Sequence, residues 1–149
     1  MSVLDDNIKK LQSYLMPIQE KGIFNNINGK VKKPISGKTF KNFSPVDETF
    51  ICDVAKSNEA DILEAGKAAK EAFPEWAKTS PTEKKKIMHR IADGIVSRAE
   101  EIAFCECWDT GQALRFMSKA AHRGAENFRF FADKTISARD GQNLPSDTL

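Results

Sequence analysis

The hydrophobic period of this chain changes near residue 57, and that change limits the possible folds more than any single motif does. Before it, apolar residues fall in short runs divided by turn residues. After it, they recur every three or four positions as far as Phe131. Short β-hairpins followed by a succession of helices are therefore predicted. Ahead of both, Leu4, Ile8, Leu11 and Leu15 form one stripe of an opening helix that ends between Pro17 and Gly22.

Within the first part, residues 24–27 and 30–33 flank Asn28-Gly29, the dipeptide that most readily adopts positive φ at both turn positions. Residues 39–43 and 49–55 flank Ser44-Pro45-Val46-Asp47, a second turn. Within the second part, Ile62, Ala65, Ala69 and Phe73 share a stripe that Pro74 is expected to close. Ser80-Pro81-Thr82-Glu83 combines an N-cap serine, a proline at the first helical position and a glutamate at the third, so it starts a new helix lined by Ile87, Ile91 and Ile95. A short helix over 99–108 ends at Asp109-Thr110-Gly111, where glycine can terminate it in the left-handed region. Leu114, Met117, Ala121, Ala125, Phe128 and Phe131 predict one further helix. Residues 134–149, with Gly141 and Pro145, read as an extended strand followed by a turn.

Composition excludes several classes of partner. The 23 Lys and Arg against 21 Asp and Glu leave a net charge of +2, too small a field to draw in nucleic acid. No apolar run approaches the roughly 20 residues of a membrane span, and the polar start lacks the order of a secretory signal, so a cytoplasmic protein without membrane contact is expected. An odd set of cysteines, Cys52, Cys105 and Cys107, favours reduced thiols in that compartment.

Chemistry-bearing residues are present but not arranged for chemistry. Cys105 and Cys107 lie about 200° apart on a helix, which is poor for sharing one zinc ion, and Glu106 between them opposes thiolate formation. His89 and His122 stand beside Arg90 and Arg123 without a serine or cysteine to activate. Lys84-Lys85-Lys86 reads as a solvated face. Glu100, Glu101, Glu106 and Asp109 also read as structural surface, and glycine-rich phosphate cradles are absent. No catalytic and no cofactor-binding residue is assigned to this chain.

The order of short motifs says more. Ile27-Asn28-Gly29, Phe43-Ser44-Pro45, Ile51-Cys52-Asp53-Val54-Ala55, Ala60-Asp61-Ile62, Ala68-Ala69 with Ala72-Phe73 and Trp76, Arg90-Ile91-Ala92-Asp93, Glu106 with Asp109-Thr110-Gly111-Gln112, and Phe128-Arg129-Phe130-Phe131-Ala132 follow in sequence. Taken together they resemble the amino-terminal segment of the NAD(P)-dependent aldehyde dehydrogenase superfamily over about 24–149. The resemblance implies an α/β family fold with a Rossmann-like NAD domain, in which this segment is mostly α-helical with short β-hairpins at the amino end and a terminal strand. It divides the chain into an amino-terminal helix (1–22), the first part of the NAD(P)-binding domain (23–133) and the start of an oligomerisation arm cut short (134–149).

The resemblance further implies oxidation of a small aldehyde to a carboxylate through a cysteine thiohemiacetal, with NAD or NADP as hydride acceptor. The nucleophilic cysteine, the activating glutamate and the cofactor-binding lysine of the family are all expected beyond this segment, and none of Cys52, Cys105 and Cys107 matches the nucleophile. This chain alone is thus expected to be an inactive fragment that binds no dinucleotide tightly, and its terminal arm would serve a homo-oligomer. Many family members hold a structural monovalent cation, and the positions that match are Asp109 and the carbonyls of Asn42 and Phe43, an oxygen set suited to a hard ion. The run from Glu126 to Asp133 is most similar to semialdehyde dehydrogenases, such as 5-carboxymethyl-2-hydroxymuconate semialdehyde dehydrogenase, or to enzymes for betaine-type aldehydes. The alternative is a non-catalytic helical binding or assembly module derived from the family.

Overall fold

A computed structural model describes residues 2–137. The opening helix α1 (Val3–Lys21) starts at a capping box in which Ser2 accepts from the Asp5 amide and Asp5 from the Ser2 amide. It runs through Pro17 and stops only at Gly22, whose φ of 72° ends the helical path. Strands β1 (Asn25–Ile27) and β2 (Lys30–Lys32) pair antiparallel about Asn28-Gly29, both at positive φ as expected. Strands β3 (Thr39–Phe43) and β4 (Phe50–Ala55) form a second antiparallel pair, and Ile23 adds a parallel bridge to Val54. The described strands make two-stranded sheets only. The terminal strand expected within 134–149 falls chiefly outside the described residues.

Five helices follow: α2 (Glu59–Lys78), α3 (Pro81–Ser97), α4 (Ala99–Thr110), α5 (Leu114–Met117) and α6 (Ala120–Lys134). Two boundaries differ from the sequence expectation. Pro74 does not close α2, which continues to Lys78. Proline there removes one backbone bond, but both Pro74 and Lys70, whose carbonyl loses its partner, are exposed, so the stretch is open to solvent and the loss is tolerated. The single helix expected from Leu114 is broken in two. The Ser118 hydroxyl donates to the Arg115 carbonyl, and the Lys119 amide bonds three residues back to Phe116, which tightens the turn and halts α5.

Packing is asymmetric. Leu15 of α1 with Ile51 and Cys52 of β4 forms the central core, joined by Leu11, Ile18, Val54, Cys105 and Trp108, and α1 packs against both β4 and α4. A second contact joins α3 to α6 through small residues: Ala92 and Ala125 have no exposed surface, nor does Ala132. The predicted stripes are correct in period but only partly buried. Ile62 and Phe73 of α2 are 67% and 63% exposed, and on α6 it is Ala121, Ala125 and Ala132 that turn inward while Phe131 stays 60% exposed.

The helix α2 is held at its first turn. Asp61, 3% exposed, accepts from the amides of Ile35 and Asn58 at 2.9 Å each and from the Asn25 side chain, which ties α2 to the first hairpin. Lys32 and Glu64 add an ion pair at the same place. Replacing Asp61 by Ala leaves those amides without their acceptor and should cost about 1–3 kcal/mol, read from urea unfolding. An unchanged midpoint would show that this anchor carries no stability.

At the opposite side, Glu100 of α4 accepts from Lys10 and from the Tyr14 hydroxyl of α1. These bonds, the Lys10 one foremost, hold the Glu100 carboxyl below the ordinary glutamate pKa. A depressed folded-state pKa gives stability that is present above the ordinary glutamate value and is lost as pH falls through the lowered one. The Glu100→Gln variant should therefore show a shallower loss of stability in that acid window than the parent chain, by unfolding curves collected from pH 7 downward.

Candidate functional site

Two motifs far apart in sequence meet at the end of α4. The helix closes at Gly111, in the left-handed region with φ 73° and ψ 6°, and the Thr110 hydroxyl bonds back to the Glu106 carbonyl. This places Asp109 at the rim and leaves the Trp108 carbonyl pointing toward the β3–β4 connection. That connection begins with a register irregularity between Asn42 and Phe43, which re-aims the strand. Ser44 then starts a tight turn: its amide donates to the Thr49 carbonyl, its hydroxyl accepts from the Val46 amide, and Glu48 takes a φ of 60°.

The two pieces lock together. Ser44, 1% exposed, donates its hydroxyl to the Trp108 carbonyl at 2.9 Å. The Asn42 side-chain amide donates to an Asp109 carboxylate oxygen at 2.6 Å. Pro45 sits so close to Gly111 that a Cβ there would lie 3.3 Å from its ring. Beside this junction an apolar cleft of about 490 Å³ runs between α1, the β3–β4 pair and α4, with Leu15, Ile51, Val54 and Cys105 in its walls and Asn42, Glu106 and Asp109 at its polar end.

Of the residues expected to hold a cation, Asn42 and Asp109 are in direct contact, and Phe43 follows at the strand irregularity. That contact is made by the Asn42 side-chain amide, an N–H donor on one Asp109 oxygen, whereas a hard cation would need carboxylate and carbonyl oxygens. No cluster of three or more His, Cys, Asp and Glu side chains occurs among the described residues.

Cys52 and Cys105 are not poised as nucleophiles. Burial pushes the Cys52 and Cys105 thiols up, and nearby carboxylates push them further, that of Asp109 acting on both. All three cysteines are free thiols. The remaining candidates serve as tethers. His89 and Lys85 of α3 share the Asp133 carboxylate of α6, at 3.1 and 2.9 Å, which holds Asp133 below its ordinary pKa, with Lys85 the larger cause. Arg98 grips Glu101 with two nitrogens, and Lys84 lies over the Trp76 ring. His122 lines a shallow hollow with Glu100 and Ser118.

Sequence reading missed two buried groups. Ser44 was legible as a turn residue but not as a link to α4, and Asp61 was visible as the third helical residue after Asn58, a capping-box signature that explains only one of its three bonds.

A sequence model of the aldehyde dehydrogenase family matches residues 32–148. An aldehyde dehydrogenase of Vibrio cholerae is 39% identical over 133 residues, which is 87% of this chain and 26% of that protein. A 2-hydroxymuconic semialdehyde dehydrogenase of a Pseudomonas species is 39% identical over 112 residues, 72% of this chain and 22% of that protein. Among solved structures, HpcC of Thermus thermophilus superimposes with a TM-score of 0.86 at 32% identity, covering 93% of this chain and 27% of that one. The NAD+ complex of a Bacillus cereus aldehyde dehydrogenase gives 0.79 at 30% identity, with coverage of 93% and 28%. The chain thus spans about a quarter of the length of the relatives it matches.

The junction makes a direct prediction. Gly111→Ala forces a side chain into the left-handed region and against Pro45, and should destabilise the fold by about 1–2 kcal/mol from the backbone term alone. Adding Pro45→Ala should recover the steric part and leave the backbone part. Equal stability of Gly111→Ala and parent in thermal unfolding would rule out this packing.

Proposed function

The chain belongs to the aldehyde dehydrogenase family, and from that premise we propose that it supplies the amino-terminal scaffold for NAD(P)-dependent oxidation of an aldehyde. The observation that carries this reading is the TM-score of 0.86 to a much longer family member together with coverage of only 27% of it. The reacting groups, a nucleophilic cysteine and a glutamate that activates water, belong to the part of the family's length that this match does not span. Cys52 and Cys105, whose thiols burial and nearby carboxylates push up, support that division of labour. Exposed apolar residues on α2 and α6, among them Ile62, Phe73, Phe130 and Phe131, are the kind of surface that further family structure would cover.

Three finer readings go with it. The substrate is an aldehyde or semialdehyde, the latter supported by the 39% identity to a 2-hydroxymuconic semialdehyde dehydrogenase. Asp109 with the carbonyls of Asn42 and Phe43 holds a structural monovalent cation, which would neutralise the carboxylate at the junction. The stretch 134–149 serves assembly of like subunits. When bound, NAD or NADP would accept hydride; no residue of this chain is assigned to it.

The test has two arms. The purified 149-residue chain should give no aldehyde-dependent NADH with a panel of aldehydes and semialdehydes. Residues 32–148 exchanged for their counterpart in the Vibrio cholerae relative should give a chimera that does. NADH formation by the isolated chain, or a folded chimera without any, would sink the scaffold reading.

A further inference from the structure

We propose that the groove at the junction of α5 and α6 is a binding site for a phosphate-bearing ligand. Arg115 of α5, Lys119 at the break and Arg123 of α6 stand at successive steps of four and, with Phe116, line an open groove of about 430 Å³. Nothing in the described structure neutralises it. Arg90, Arg98 and Arg129 each meet a carboxylate, whereas Arg115 and Arg123 meet none among the described residues. Glu126, one turn beyond Arg123, is engaged by Arg129 instead, at 2.8 Å.

The chemistry of the ligand follows from the lining. Two guanidinium forks present paired N–H donors that match phosphate oxygens, and an ammonium between them adds a point charge. Three cations along one groove suit a chain of phosphates better than a single carboxylate. Phe116 supplies the other half: its ring is 56% exposed, with the Arg115 guanidinium 4.7 Å from its centroid. The guanidinium covers one face of that exposed ring, and a planar group carried by the same ligand can stack on the other. The site lies apart from the Asp109 junction and makes no use of the dehydrogenase reading.

The experiment is calorimetric titration of the 149-residue chain with inorganic tripolyphosphate and, separately, with ADP. Both probes should bind, and Arg115→Gln with Arg123→Gln, which removes both guanidinium forks, should weaken each at least about tenfold. Lys30→Gln with Lys33→Gln, the same loss of charge on the first hairpin, should leave affinity within about twofold. Tighter binding of ADP that falls on Phe116→Ala identifies a nucleotide as the source; tighter tripolyphosphate, indifferent to Phe116, identifies inorganic polyphosphate. Circular dichroism checks that these exposed substitutions leave the helices intact. No heat of binding with either probe, or equal weakening by the two double variants, overturns the site.

Discussion

One buried hydroxyl holds the two halves of this chain in register. Ser44 closes its own turn through the Val46 amide and reaches across to the last free carbonyls of α4 at Trp108. Because Cys105 and Trp108 of α4 also pack against the Leu15, Ile51 and Cys52 core, that bond sets which end of the hairpin meets which end of the helix. The Asn42 contact with Asp109 and the approach of Pro45 to Gly111 are consequences of the same docking. An unsatisfied buried hydroxyl and carbonyl would be costly, so the geometry tolerates little slippage.

Local signals in the sequence translated well where they concerned the backbone. Asn28-Gly29, the Ser80 cap with Pro81, and Gly111 all act as their side chains, or lack of one, dictate. Pro74 and Ser118 misled for opposite reasons. A proline in a stretch open to solvent loses one bond at a tolerable cost, so α2 passes through it, while a serine in an otherwise periodic stretch diverted a carbonyl and ended α5. Neither outcome follows from period alone.

The candidate site was half legible. Asp109 and Asn42 were singled out through family resemblance, but their direct hydrogen bond was not readable, because 67 positions separate them and contact depends on how the hairpin lies against α4. Burial was the least readable quantity. Apolar stripes on α2 and α6 have the right spacing, yet alanines rather than phenylalanines are the buried residues of α6, the helix that packs against α3. The aromatic residues that carried the resemblance therefore lie on the outside of the described structure.

Between its anchored first turn and the cation over Trp76, α2 is largely bare. Its midsection behaves as a strut held at both ends. Backbone protection there is governed by the helix–coil balance of its own alanine- and glutamate-rich sequence, so amide exchange proceeds through local opening and not through unfolding of the core. In α3 and α6, where alanine meets alanine, exchange must wait for the pair to separate.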